Sequence, residues 1–236
     1  DNIVEYFERG GNQVLSKAPF REEYEAFFEK VLKEGDEKLH IAVSSSVSLS
    51  CKNASAAAER FSGRVHVLDS HQLSTGMAHL VLTAPQMVNQ GKTTADIMKE
   101  LECMRDRVST GFIAENANYL YRAGHVGKFV KNVCELLKIH PVLGVKNGSM
   151  SLKGIKIGNY ENALRRYVRR EMRQLSSIEK ERVFITHSGC SLKAVTTVKQ
   201  EVTRLCSFRE VYVTEASATI SCNCGANTIG VLFVRQ

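Results

Sequence analysis

Hydrophobic positions along this chain switch repeatedly between helical and strand spacing, and that alternation predicts an α/β protein. Tyr24, Phe27, Phe28, Val31 and Leu32 stand at i, i+3, i+4, i+7 and i+8, the stripe of an amphipathic helix, with Gly35 placed for a left-handed cap. LHIAVS (Leu39 to Ser44) reads as a buried strand, followed by a Ser-rich turn and a helix over Ala54 to Phe61. RVHVLDS (Arg64 to Ser70) is a β-branched run that ends in polar residues, as a strand does at its carboxyl edge.

Leu73 to Gln90 and Thr94 to Val108 have helical spacing and are separated by Gly91. A second block begins near Gly111, with GFIAE as a strand and helices over Ala114 to Arg122 and Lys128 to Leu137. IHPVLGVKNGSMSLKGIKIG places two strands around Asn147-Gly148, a dipeptide suited to a tight hairpin. Asn159 can cap a basic helix running to Gln174. VFIT, a helix from Ser191 to Leu205, VYVTEA and IGVLFV complete the alternation.

Composition narrows the class. The chain has 236 residues, 43% of them hydrophobic and 24% charged, with 3 Pro, which excludes a disordered chain and leaves room for one two-lobed unit or two small domains. No apolar run approaches the roughly 18 to 20 residues of a membrane helix, and DNIVEYFERGGN lacks the basic start and apolar stretch of a secretory signal. Seven cysteines in scattered positions suit a reducing cytoplasm better than a disulfide framework. Cys222 and Cys224 form a C-x-C with no second pair at zinc spacing, so no metal is expected.

The net charge of +7 is local: Ser151 to Arg182 holds nine basic and four acidic residues and supplies +5 of it. On a helix, Arg165, Arg169 and Arg173 form one line while Leu164, Val168 and Met172 form another. That is the pattern of a solvated face, with docking to an acidic partner or to membrane phosphates as the alternative.

Open α/β sheets bind ligands beyond the carboxyl ends of their strands, where loops meet helix N-termini. Two stretches lie there: the turn Ser44 to Ser50, with five serines in seven residues, and His187-Ser188-Gly189-Cys190. Serines in such a turn can bind a carboxylate or phosphate, or simply cap and close the turn. His40 and His140 flank strands and read as structural.

Three stretches together resemble the DegV family of bacterial fatty-acid-binding proteins. SSSVSLSCKNASAAAERF with RVHVLDSHQLSTG is similar to that family's Ser-rich loop, SS-x-LSGTY-x-x-A, and its strand ending in Asp-Ser. NYLYRAGHV with LLKIHPVLGVKNG is similar to L-x-Y-L-x-x-G-G-R-I and L-x-I-K-P-I-L-x-x-x-x-G; VFITHSG and CNCGANTIGVLFV complete the set. The resemblance implies a two-lobed α/β fold. Its N-terminal lobe (1–75) has a mostly parallel sheet flanked by helices, its C-terminal lobe (76–236) has a mixed sheet, and the lipid site lies between the lobes. The family's D-S-x-x-D-L segment, a strand of the first lobe, has no counterpart here.

It further implies a non-catalytic, cytoplasmic carrier of a long-chain fatty acid. Such a carrier presents the carboxylate to the ATP-using subunit of a fatty acid kinase, which makes an acyl phosphate for phospholipid synthesis. No cofactor beyond the bound lipid, no nucleic acid and at most peripheral membrane contact are expected. The carboxylate contacts carry over to Ser16, Ser48, His125 and Asn223, with Ser45, Leu49, Ser50 and His187 as further candidates near the ligand. Ser16 and Ser48 keep a hydroxyl able to donate a charge-assisted hydrogen bond. Leu49 stands where the family has Gly, His125 where it has Arg, and Asn223 where it has His. These departures define one alternative, an interaction or regulatory module without lipid. The other is a serine hydrolase using Ser48 with His187 as base, but no G-x-S-x-G elbow is present.

Overall fold

The structure, a computed structural model, describes residues 3–9, 11, 14–118, 132, 134 and 136–236. In chain order the elements are α1 (Ile3–Glu8), α2 (Arg21–Val31), β1 (Lys38–Ala42), α3 (Ser50–Ala58), β2 (Val65–Asp69), α4 (Thr75–Asn89), α5 (Thr94–Arg105), β3 (Val108–Ala114), β4 (Ile139–Lys146), β5 (Ser149–Ile157), α6 (Tyr160–Glu171), β6 (Ile178–Ser188), α7 (Leu192–Leu205), β7 (Glu210–Glu215), α8 (Ala218–Cys224) and β8 (Thr228–Arg235). Two units result: a first of Lys17–Val108 with Val145–Met150, and a second of Asp1–Ser16, Ser109–Gly144 and Ser151–Gln236.

In the first unit β1 and β2 pair in parallel, from Lys38 opposite Val65 to Ala42 opposite Asp69. The predicted stripe of α2 buries Phe28 against Ala54 and Ala57 of α3, and the small alanines let the two helices close on Val65. His40 lies edge-on to Tyr24 and Phe28, a structural place in which burial lowers its pKa. At the start of α2, Glu23 accepts from the Phe20 N–H at 2.7 Å, occupying one of the donors left free there. The left-handed cap expected at Gly35 does not form: a 3-10 turn (Leu32–Glu34) intervenes and Gly35 is extended at φ 165°.

These units are drawn differently from the lobes expected at 1–75 and 76–236, in that α4 and α5 group with β1 and β2. The end of α5 is tied to the end of β2: Arg105 donates to Asp69 O at 2.7 Å, and Gln72 Nε2 donates to Arg105 O at 3.0 Å. The same helices bury Leu80, Ile97, Leu101 and Met104.

The second unit carries a six-stranded mixed sheet in the order β5-β4-β3-β8-β6-β7. β3 with β4 and β6 with β8 are antiparallel, and β6 with β7 is parallel. Strand β8 is apolar from Ile229 to Val234, as suits a strand buried on both faces. Ile229, Val231 and Phe233 pack with Leu164 and Val168 of α6 and Val198 and Val202 of α7, while Leu232 and Val234 are buried as well. Tyr167, fully buried, donates to Gly111 O at 2.5 Å and accepts from Val231 N at 3.0 Å, so its hydroxyl bridges β3 and β8. Burial raises its pKa well above the ordinary tyrosine value.

Asn147 and Gly148 take positive φ of 50° and 78°, making the predicted tight turn between β4 and β5. Asn159 accepts from Asn162 N and caps α6, which stops at Glu171, short of the Gln174 expected, with Gln174 itself left-handed at φ 58°. His140 has its two ring nitrogens on Glu115 O and Gly158 O, at 2.5 and 2.7 Å, and is structural. The arginines of α6 are largely engaged. Arg165 pairs with Glu161 and Arg169 with Glu201, while Arg166 and Arg170 donate to Ile157 O and Lys153 O. Those carbonyls belong to β5, an edge strand of the sheet among the described residues.

Helices α1 and α8 were not predicted from the periodicity. Of the helix expected over 114–122, Ala114 instead ends β3 and 115–117 are irregular; 119–131, 133 and 135, and with them His125 and much of the helix expected over 128–137, lie outside the described residues. Among the described residues no helix is long and apolar enough to cross a membrane.

Candidate functional site

Beyond the carboxyl ends of β1 and β2, the Ser-rich turn is organised around Ser44, which is 1% exposed. Its N–H donates to Gln72 O at 2.9 Å, and its carbonyl accepts from Val47 N and Ser48 N at 3.1 and 3.2 Å. Its hydroxyl donates to Gly148 O at 2.7 Å and accepts from Ser46 N at 3.3 Å. Ser45 N donates to both oxygens of Asp69 at 3.3 Å. Burial pushes the Asp69 carboxyl up, but hydrogen bonds from Ser45 and the His71 N–H outweigh it and leave the pKa below its ordinary value.

Ser48 and Ser50 come together as expected for neighbours flanking a helix start. Ser48 Oγ accepts from Ser50 N at 3.1 Å and lies 2.9 Å from Ser50 Oγ. With one lone pair used this way, the Ser48 hydroxyl keeps its hydrogen for Ser50 or for a ligand oxygen. Leu49 has φ −73° and ψ −5°, an ordinary right-handed conformation, so the exchange of Gly for Leu creates no backbone strain. The next loop does hold unusual backbone: His71 and Ser74 have φ of 50° and 51° without being glycine.

In the second unit, two residues 207 positions apart meet. Asn223 on α8 donates from Nδ2 to Ser16 Oγ at 3.0 Å and to Thr219 O at 2.8 Å, with Cys222 Sγ at 3.3 Å. Asn223 thereby anchors the Ser16 oxygen, and among the described residues no acceptor takes its hydrogen. Both residues are exposed.

His187 lies near the end of β6, half-buried, with Nδ1 buried and without a hydrogen-bond partner among the described residues. It does not cap α7; Ser191 does, accepting from Ala194 N at 3.3 Å. Beside it, burial pushes the Cys190 thiol up to about 12, and burial pushes Cys224 up to about 11, so both are neutral and unreactive near pH 7. Among the described residues no group of three His, Cys, Asp or Glu side chains could hold a metal ion. The backbone N–H groups of residues 44 to 48 all have acceptors within the protein, leaving that turn no free pair for the oxyanion of a hydrolase.

Sequence reasoning missed Ser44 as the hub, although it lay among the serines singled out. The partner that makes it one, Gly148, is 104 residues away.

Comparison with known proteins gives a consistent picture. The family model described as "Uncharacterised protein, DegV family" matches residues 1–236. A DegV domain-containing protein of Deinococcus radiodurans is 25% identical over 232 residues, 94% of this chain and 79% of that protein. A DegV domain-containing protein of Staphylococcus aureus is 21% identical over 224 residues, with the same shares covered. Among solved structures, a fatty-acid-binding DegV family protein from Thermus thermophilus is similar with TM-score 0.86 and 26% identity, over 99% of this chain and 84% of that one. The fatty acid kinase B3 protein of Streptococcus pneumoniae, solved loaded with linoleic acid, has TM-score 0.82 and 14% identity, over 99% and 83%.

Proposed function

The chain belongs to the DegV family, and from that premise we propose that it is a carrier of a long-chain fatty acid rather than a catalyst. The observation that carries the reading is the Asn223–Ser16 hydrogen bond. Two residues assigned separately to the head group by the family's motifs stand together, with a hydroxyl hydrogen left to donate. Ser48 keeps a donor in the same way, and His125 completes the proposed set of carboxylate contacts. The fatty-acid binding of the Thermus thermophilus relative supports the ligand class.

The energetics favour such a division of labour. Each buried CH₂ contributes about 0.8 kcal/mol before ordering costs, so the acyl chain supplies affinity while a few hydroxyls orient the carboxylate. A carrier that exposes its ligand's carboxylate suits delivery to the ATP-using subunit of a fatty acid kinase, the partner we propose. Seven free thiols fit a reducing cytoplasm as its compartment.

Native mass spectrometry of freshly purified protein tests the reading: a bound fatty acid of about 14 to 18 carbons is expected from the family resemblance, its chain contributing about 0.8 kcal/mol per buried CH₂. Ser48→Ala should then weaken binding by about 1.5–3 kcal/mol, the range for a hydrogen bond to a charged group, with little change in folding. Protein that is empty and takes up no fatty acid would overturn the proposal.

A further inference from the structure

Ser44 cannot touch a ligand, being 1% exposed, yet all of its polar atoms are engaged. Its carbonyl holds the N–H groups of Val47 and Ser48, so the position of Ser48 follows that of Ser44. Its hydroxyl ties this small hydrogen-bonded turn to Gly148 O, a point 104 residues away in sequence. Without that tie the bonds inside the turn could persist while the turn moved as a body.

Gly148 is matched to the arrangement. It is buried with φ +78°, and a Cβ there would fall 2.7 Å from Ser44 Oγ and 3.4 Å from Ser46 Oγ. Any side chain at this point presses on the hydroxyl that makes the tie. Glycine is therefore required twice, for the turn's left-handed backbone and for the approach of Ser44.

We infer that Ser44, latched to Gly148 at the tip of the β4–β5 hairpin, is the positioning residue that presents Ser48 to the ligand carboxylate. The inference rests on the fatty-acid reading above and gives a role to Ser44 and Gly148, which lie on the family's motifs but were assigned no contact there. Physically it is preorganisation. A hydroxyl held before binding loses less freedom when the carboxylate arrives, and the saving appears in affinity for the charged head group, not for the acyl chain.

The test is therefore ligand-selective. Dissociation constants for palmitic acid and for hexadecanol are measured on the full chain for the parent, Ser48→Ala, Ser44→Ala and Gly148→Asn. Asn takes positive φ more readily than other side chains, so Gly148→Asn disturbs the latch with the least added strain on the turn, and it serves if Ser44→Ala fails to fold. Both latch variants should weaken the acid about 3- to 12-fold, the equivalent of one neutral hydrogen bond, and the alcohol less than about 2-fold. In the Ser48→Ala background, Ser44→Ala should add no further loss for the acid. Equal losses for acid and alcohol, or no loss for the acid where Ser48→Ala has one, would overturn the positioning role alone. A parent protein that binds neither ligand would overturn the fatty-acid reading and this inference with it.

Discussion

Glu201 offers a measurable test of what the basic helix does. It lies in α7, 2% exposed, with Oε1 2.6 Å from a guanidinium nitrogen of Arg169 on α6 and 2.6 Å from one of Arg204 on its own helix. The Arg204 hydrogen bonds lower its pKa most, burial pushes the other way, and Arg169 lowers it further, to about 2. A fall from the ordinary glutamate value of about 4.3 is worth up to ~3 kcal/mol at about 1.4 kcal/mol per pH unit. Both arginines are more than half exposed, so solvent screening brings the expected contribution to about 1–2 kcal/mol. Because the folded pKa is the depressed one, this stabilisation is complete above about pH 4.3 and is lost as pH falls towards about 2. Urea unfolding of the parent and Glu201→Gln should show a gap of about 1–2 kcal/mol at neutral pH, with less than half of it left at about pH 3. A gap that stays constant across this range would mean that Glu201 acts by packing, and that Arg169 is free for a partner after all.

Two further outcomes follow from the geometry of the second unit. Ser16→Ala should raise the dissociation constant for a fatty acid about 10- to 100-fold, measured by displacement of a fluorescent analogue, whereas Asn223→Ala should raise it a few-fold, and not at all once Ser16 is Ala. An undiminished Asn223 effect in that background would give Asn223 its own contact with the ligand. Maleimide labelling of the folded protein at pH 8, mapped by mass spectrometry, should modify exposed Cys103 well before Cys190 and Cys224, whose burial keeps them protonated. Equal rates for the three would refute the burial of that pair.

What could be read in the sequence divides along a physical line. Strands β1, β2 and β8, the α2 stripe, the Asn147-Gly148 turn and the Asn159 cap each depend on residues within a few positions of one another, and each appears where its pattern places it. Helix α8 has seven residues, too few for two turns of periodicity to register, yet it carries Asn223. The grouping of α4 and α5 with β1 and β2 was not legible because it runs through Arg105 and Gln72, whose bonds span 36 and 33 residues. The candidate site divides in the same way. The Ser48–Ser50 contact is local and was open to inspection, but Ser48 owes its position to Ser44, and Ser44 to a carbonyl 104 residues on. Ser16 likewise owes its orientation to an amide 207 residues on. A motif match can mark the residue that meets the ligand, since its chemistry is its own. The residue that aims it is chosen by the fold, and any small hydroxyl in a turn of five serines looks alike until its distant partner is known. For this reason the ratio of acid to alcohol affinity in Ser44→Ala is more informative than the loss in Ser48→Ala: the second tests a contact that family resemblance already suggests, while the first tests whether the fold itself builds the site.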